Sequence, residues 1–175
     1  MVRECRLGIV SLVIALLGAS TGCSLVLDFS DSQIPIDAAP DARYNEALCG
    51  AKEPNDSLET AALITSADVG PAAICPTDPE DTDFYKFTVP AGTGTVEVKI
   101  TFMNRPDGDL DLKLLDAAGT MLSQSRGFAD TEAITCPGVS PSCAALSAGD
   151  YVFEVFPALA GATNEYAIAL TLTPI

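Results

Sequence analysis

The chain is built largely from short segments in which apolar and polar residues alternate one by one. The clearest segment is residues 109–114, where three leucines alternate with three charged residues. A repeat of two is typical of a strand with one buried face. Asp107-Gly108 is predicted to be the turn before it, with the glycine supplying a positive φ. The predicted buried side is Leu110, Leu112 and Leu114, and the predicted outer side is Asp109, Asp111 and Lys113.

The same alternation recurs along the rest of the chain and predicts further strands. The strong segments are residues 83–89, 95–102, 151–156 and 166–173, and the weaker ones are 61–64, 72–75, 121–125 and 132–136. A sustained helical period is missing, and we predict only a short turn at Asn55–Glu59, capped by Asp56. About eight or nine strands separated by turns predict an all-β sandwich.

The first residues have the pattern of an export signal. Arg3 and Arg6 precede an apolar run at residues 7–17, which is too short to span a membrane, and small residues lead to Cys23. This ending resembles the bacterial lipobox, although Ser20 stands where leucine is usual. We therefore expect a lipoprotein signal peptide at 1–22, lipidation of Cys23, and, from the residue after it, sorting to the outer membrane or cell surface.

The next segment is predicted to be a flexible tether. Residues 28–45 are rich in Asp, Ala, Pro and Ser and show no periodicity, so they cannot bury enough apolar surface to fold. We expect the lipidated cysteine and tether to occupy residues 23–47 and the folded domain to occupy residues 48–175.

Composition narrows the possible functions. The net charge of −15 repels nucleic acid and anionic headgroups, so no nucleic-acid partner is expected and membrane contact is expected through the lipid alone. The chain has no histidine, which excludes catalytic triads and metal sites that depend on it. The predicted folded domain at residues 48–175 also lacks a Gly-x-Ser-x-Gly elbow and a P-loop. We therefore expect a protein that is not an enzyme.

The cysteines predict two disulfides. Four remain once Cys5 leaves with the signal and Cys23 is lipidated. Cys136 and Cys143 close a short loop rich in proline and glycine, which leaves Cys49 to pair with Cys75. A zinc site is the alternative, but neither spacing is Cys-x2-Cys and an exported protein favours disulfides.

A set of short motifs, in order, resembles the bacterial pre-peptidase C-terminal (PPC) domain. The resemblance covers nearly all of residues 48–174 and implies a jelly-roll-like β-sandwich that is non-catalytic and usually attached to secreted peptidases or other exported enzymes. The matching motifs are Glu53-Pro-Asn55-Asp56, Asp81-Thr-Asp83-Phe84-Tyr85, Val89-Pro-Ala-Gly92, Gly108-Asp-Leu-Asp-Leu112, Gly149-Asp-Tyr151 and Tyr166-Ala-Ile-Ala-Leu170.

The resemblance also implies a candidate calcium site, since related collagen-binding domains bind calcium through acidic residues near their start. Calcium takes six to eight oxygen ligands. The alternative is that these residues are solvated loop acids or an Asx-turn. An EF-hand at residues 107–111 is excluded because its glycine and final glutamate are missing. The candidate ligands are Glu53, Asn55, Asp56, Asp81 and Asp83.

These observations favour an exported, lipid-anchored, non-catalytic module for binding or adhesion at the cell envelope, with a protein or polysaccharide ligand. Its contact surface is expected to include Phe128, Phe156 and Leu159, unless they cap the ends of the sandwich. The alternative is a calcium-stabilised structural accessory to an exported enzyme such as a peptidase. A hydrolase using Asp81 or Asp83 is the third and weakest interpretation.

Overall fold

The computed structural model describes residues 45–50, 52–65, 70–76 and 80–175, all within one compact unit. These residues form two 3₁₀ helices, Glu46–Leu48 and Leu58–Thr60, and eleven strands. The strands are β1 (Ala62–Leu63), β2 (Pro71–Ile74), β3 (Asp83–Val89), β4 (Thr93–Phe102), β5 (Leu110–Asp116), β6 (Met121–Ser125), β7 (Thr131–Cys136), β8 (Gly138–Val139), β9 (Ser142–Cys143), β10 (Gly149–Pro157) and β11 (Asn164–Pro174).

Nine of these strands make two sheets that pack face to face. One sheet has the order β1-β3-β10-β5-β6 and the other has the order β2-β11-β4-β7. All neighbouring strands are antiparallel except β1 and β3, which are parallel. The predicted all-β sandwich is therefore confirmed, and the nine main strands lie where the alternating segments predicted them.

The core lies between the two sheets and is made of the apolar half of each alternating strand. The ring centroids of Tyr85 and Phe153 are 5.0 Å apart on the neighbouring strands β3 and β10. Leu110, Leu112 and Leu114 are fully buried, as the period of two predicts. Burial of each such side chain contributes about 1.5–3 kcal/mol. This apolar layer therefore stabilises the packing of the two sheets against each other.

The outer face of the five-stranded sheet differs from the prediction, because part of it, on β5 and β10, is covered and not open to solvent. Asp109 and Asp111 are buried, and Arg126 pairs with Asp111 across this face (Nε to Oδ2, 2.8 Å). Phe156 lies on the same face but is only 7% exposed, with Lys113 Nζ 4.0 Å from its ring centroid. The prediction of Phe156 as part of an exposed patch was wrong, since these cations cover it.

Two local predictions were also wrong in detail. Gly108 does not have a positive φ; the backbone there is closely packed, since an added Cβ would lie 3.1 Å from Nδ2 of Asn164 and 3.2 Å from the Thr163 carbonyl oxygen. The turn before the second 3₁₀ helix is capped by Ser57 and Thr60 and not by Asp56, with the Thr60 amide donating to Ser57 Oγ at 3.3 Å.

Both predicted cysteine pairs are at disulfide distance. Cys49 is joined to Cys75 and Cys136 to Cys143. The second bridge closes the small hairpin β8–β9, which the alternation did not reveal because each of its strands has only two residues. Val139 stands at this hairpin and is 94% exposed.

The predicted signal peptide, the lipidation site Cys23 and nearly all of the tether lie outside the described residues. Within the described ranges, none of the helices is long and apolar enough to cross a membrane.

Candidate metal centre

Three carboxylates meet at one edge of the sandwich. One oxygen each of Glu53, Asp81 and Asp83 lie within 4.8 Å of one another. Asp83 is the first residue of β3, Asp81 precedes that strand, and Glu53 belongs to the amino-terminal segment that runs beside it. In the described part of the chain, this is the one group of three such side chains that could hold a metal ion.

Backbone contacts hold the amino-terminal segment against β3. The Phe84 amide donates to the carbonyl of Asn55 at 2.8 Å, and the Asn55 amide donates to Oε2 of Glu53 at 2.9 Å. The Cys75 amide donates to Oδ2 of Asp81 at 2.6 Å. Because Cys49 is joined to Cys75, the disulfide anchors the same segment that carries Glu53 and Asn55.

The site contains buried polar atoms that lack hydrogen-bond partners. Both polar side-chain atoms of Asn55 and Oδ1 of Asp81 are buried without a partner among the described residues. Leaving such an atom unpaired costs about 1–3 kcal/mol. A cluster that buries several of them beside carboxylates has the character of a site that accepts a ligand.

A tyrosine pair completes the floor of the cluster. The Tyr166 hydroxyl on β11 donates to Oδ2 of Asp83, and the hydroxyls of Tyr85 and Tyr166 are 2.7 Å apart. Neither tyrosine was a predicted site residue. The signal available in the sequence was that each lies on a buried strand face, where a tyrosine hydroxyl needs a polar partner.

Burial and like charges raise the pKa of all three carboxylates. Loss of solvent raises the pKa of Asp83 to about 7, opposed by the Tyr166 hydrogen bond and reinforced by the charge of Asp81. Loss of solvent also raises the pKa of Asp81 to about 6, opposed by the Cys75 amide and reinforced by Glu53 and Asp56. Burial raises the pKa of Glu53 as well. Ionisation of all three carboxylates is therefore unfavourable in the absence of a cation.

The residues fit calcium. Of the five predicted ligands, the structure brings together the carboxylates of Glu53, Asp81 and Asp83. Asn55 is buried, and the exposed Asp56 lies close enough to Asp81 to raise its pKa. Carboxylate and amide oxygens are the ligands that calcium prefers. A divalent cation would also neutralise the charge that now opposes ionisation, and the buried oxygens of Asn55 and Asp81 supply ligands that protein groups do not use.

The fold and this cluster define a β-sandwich module with an acidic edge. Residues 81–157 match the family model described as the bacterial pre-peptidase C-terminal domain. Glu53, Asn55 and Asp56 lie before the matched residues. No curated protein sequence gives a significant match.

Among solved structures, the chain is similar to the pre-peptidase C-terminal domain of collagenase from Bacillus anthracis, determined at 1.0 Å. The two are 12% identical, and the similarity covers 62% of this chain and 92% of that chain with a TM-score of 0.48.

Proposed function

We propose that this protein is a calcium-stabilised, non-catalytic β-sandwich module that acts at the bacterial cell envelope. The observation that carries the proposal is the meeting of the carboxylates of Glu53, Asp81 and Asp83, with the buried Asn55 on the same amino-terminal segment as Glu53. Two of these residues come from the amino-terminal segment and two from the start of β3 and the residues before it. A cation held between them would fix that segment to the sandwich.

The chemistry of the cation would be neutralisation of charge. Glu53, Asp56, Asp81 and Asp83 would offer carboxylate oxygens, and Asn55 would offer its amide oxygen. The residues themselves supply the frame: the Cys75 amide orients Asp81, and Tyr166 orients Asp83. A bound cation would fix the amino-terminal segment that carries Glu53 and Asn55 to the sandwich. A rigid attachment of this kind suits a module that is held away from a membrane.

Thermal unfolding of the purified protein with calcium and with chelator tests the proposal. A ligand at about 100 times its dissociation constant adds about 2.7 kcal/mol of stability, which raises the melting temperature by several degrees in a domain of this size. The rise should disappear in Asp83→Ala and persist in the control Glu165→Ala, an exposed acid on β11. Identical melting curves with and without saturating calcium would remove the metal from the proposal.

A second proposed function is binding or adhesion, which the exposed side chains of Phe128 and Leu159 favour. The ligand would be a protein or a polysaccharide at the cell envelope. A pull-down from solubilised membranes and a binding assay on purified polysaccharide separate the possibilities. Recovery of one exported enzyme, such as a peptidase, would instead favour a structural accessory. A hydrolase is the least supported alternative, because Asp81 and Asp83 are both buried.

The location at the envelope rests on the sequence around Cys23. We propose that this cysteine carries lipid and holds the domain at the outer membrane or the cell surface. Labelling of cells with a radioactive fatty acid should mark the protein, and Cys23→Ser should abolish the label and release the protein from the membrane fraction. Retention of the label in that variant would contradict the anchor.

A further inference from the structure

A second acidic region shares no residue with the candidate metal centre and lies beside the loop between β6 and β7 and the loop between β10 and β11. A cleft of about 360 Å³ opens there, with Asp109 and Asp111 on its floor. Its rims carry Phe128, which is 93% exposed, and Leu159, which is 62% exposed. The Ala158 amide donates to the carbonyl of Asp109 at 3.0 Å, which fixes one rim to the floor.

The charge on this floor is only partly balanced. Asp111 pairs with Arg126. Asp109 is 8% exposed, and its Oδ1 is buried without a hydrogen-bond partner. The buried Glu132 lies near enough for both aspartates to raise its pKa, after the larger effect of its own burial. Of these three carboxylates only Asp111 pairs with a cation; Glu132 accepts a hydrogen bond from Ser125, and Asp109 forms no salt bridge within the described residues.

Arg126 shows that a basic side chain can bind to this acidic and aromatic surface. Arg126 pairs with Asp111 while its guanidinium carbon lies 5.3 Å from the centroid of the Phe156 ring. An aromatic ring attracts a cation above its face, and a long basic side chain can lay its apolar stem along neighbouring hydrophobic groups. Asp109 and Phe128 offer a second carboxylate and a second ring in the same cleft, without a cation between them.

We propose that this cleft binds an arginine or lysine side chain of a partner protein, with the cation at Asp109 and the stem between Phe128 and Leu159. This inference rests on the proposed binding function and states the chemistry of its ligand. A basic group is favoured over a metal ion because, in the described residues, three ligating oxygens come within 4.8 Å of one another only at Glu53, Asp81 and Asp83. The acidity of the whole chain would draw a basic partner towards it.

The test uses two peptides that differ in charge alone. Acetyl-Leu-Arg-Leu-amide is titrated into the isotope-labelled protein in saturating calcium, and acetyl-Leu-citrulline-Leu-amide serves as its neutral isostere. The arginine peptide should shift the amide resonances of Gly127, Phe128 and Leu159, and the citrulline peptide should bind at least about tenfold more weakly. Asp109→Asn should weaken binding of the arginine peptide by about tenfold, and Phe128→Ala by several fold.

The control is Val139→Ala, which removes an exposed apolar side chain at the β8–β9 hairpin and should leave peptide binding unchanged. Phe128→Ala keeps the test decisive if Asp109→Asn fails to fold, since Phe128 contributes little to the core. Equal binding of both peptides, or shifts confined to other residues, would each overturn the proposal. Asp109→Asn and Phe128→Ala could each retain the rise in melting temperature with calcium and still recover a partner in the pull-down. In that case this inference fails while the proposed function stands.

Discussion

Tyr166 on one sheet donates a hydrogen bond to Asp83 on the other, directly beside the candidate metal centre. Since Tyr166 has a single hydroxyl proton, the 2.7 Å contact with Tyr85 requires Tyr85 to donate to Tyr166. The result is a buried chain of donors that ends on a carboxylate of the acidic cluster. It ties the packing of the two sheets to the charge state of Asp83.

Tyr166→Phe should destabilise the protein, because it removes the donor while Asp83 stays buried. Loss of a hydrogen bond to a buried acceptor costs about 1–3 kcal/mol, so urea unfolding in chelator should show a decrease of that size. The control is Tyr151→Phe, whose hydroxyl donates to the Ser147 carbonyl at an exposed position and which should cost less than about 1 kcal/mol. An equal decrease in the free energy of unfolding in the two variants would mean that the hydrogen bond to Asp83 contributes no more to stability than an exposed one.

Without calcium, the protein should become less stable as pH rises from about 5 to about 8. The ordinary pKa of an aspartate is 3.8, and burial raises that of Asp81 to about 6 and that of Asp83 to about 7. Between these values the folded state binds protons that the unfolded state does not bind. The free energy of unfolding is therefore greatest at the acid end and falls as pH passes through the two raised pKa values, which urea unfolding in chelator would measure.

With calcium present the trend should reverse, because only ionised carboxylates bind the ion. The added stability should be large near about pH 8 and vanish towards about pH 5. Burial also raises the pKa values of Glu53, Asp109 and Glu132, which therefore act in the same direction as Asp81 and Asp83 in chelator. The pKa values of Asp116 and Asp150 are lowered mainly by hydrogen bonds, so these groups affect stability only at lower pH. A free energy of unfolding that stays flat or rises with pH in chelator would contradict the charge state assigned to the cluster.

The two disulfides should differ in their effect on calcium. Replacing Cys49 and Cys75 by serine opens a loop of 26 residues and should cost about 3.5 kcal/mol, whereas the pair Cys136 and Cys143 spans 7 residues and should cost about 2.5 kcal/mol. Only the first bridge anchors the segment that carries Glu53 and Asn55. Calorimetric titration should therefore show weaker calcium binding in the first double variant alone, and equal affinities in both would show that the disulfide does not position the site.

The strands could be predicted because each has one buried face, and this leaves a repeat of two in the chain itself. The acidic ligands could be named because their motifs lie in short stretches, at Glu53–Asp56 and Asp81–Asp83. Their meeting could be inferred only from the resemblance, since it depends on how the amino-terminal segment folds back on β3. The contact between Tyr166 and Asp83 spans 83 residues, and a local pattern carries no information about such a partner.

The outer face of the five-stranded sheet shows the same limit. Alternation correctly placed Asp111 and Phe156 on the side opposite the core, and this led to the prediction that they face solvent. Whether an outward side chain is exposed depends on what covers it. Here Arg126, which follows β6, lies over this face, and Lys113 folds across Phe156 to reach Glu154 at 3.0 Å. Such a cover is made by residues distant in the chain.

Two phenylalanines grouped together by the sequence should therefore respond differently to truncation. Phe156→Ala removes a buried ring that both Lys113 and Arg126 approach, and loss of a buried phenylalanine costs about 3–5 kcal/mol. Phe128→Ala removes a ring that is almost wholly in solvent, and such surface changes stay within about 0.5 kcal/mol. Urea unfolding of both variants measures the difference. If Phe156→Ala were as stable as Phe128→Ala, the layer of cations on the outer face would contribute nothing to the fold.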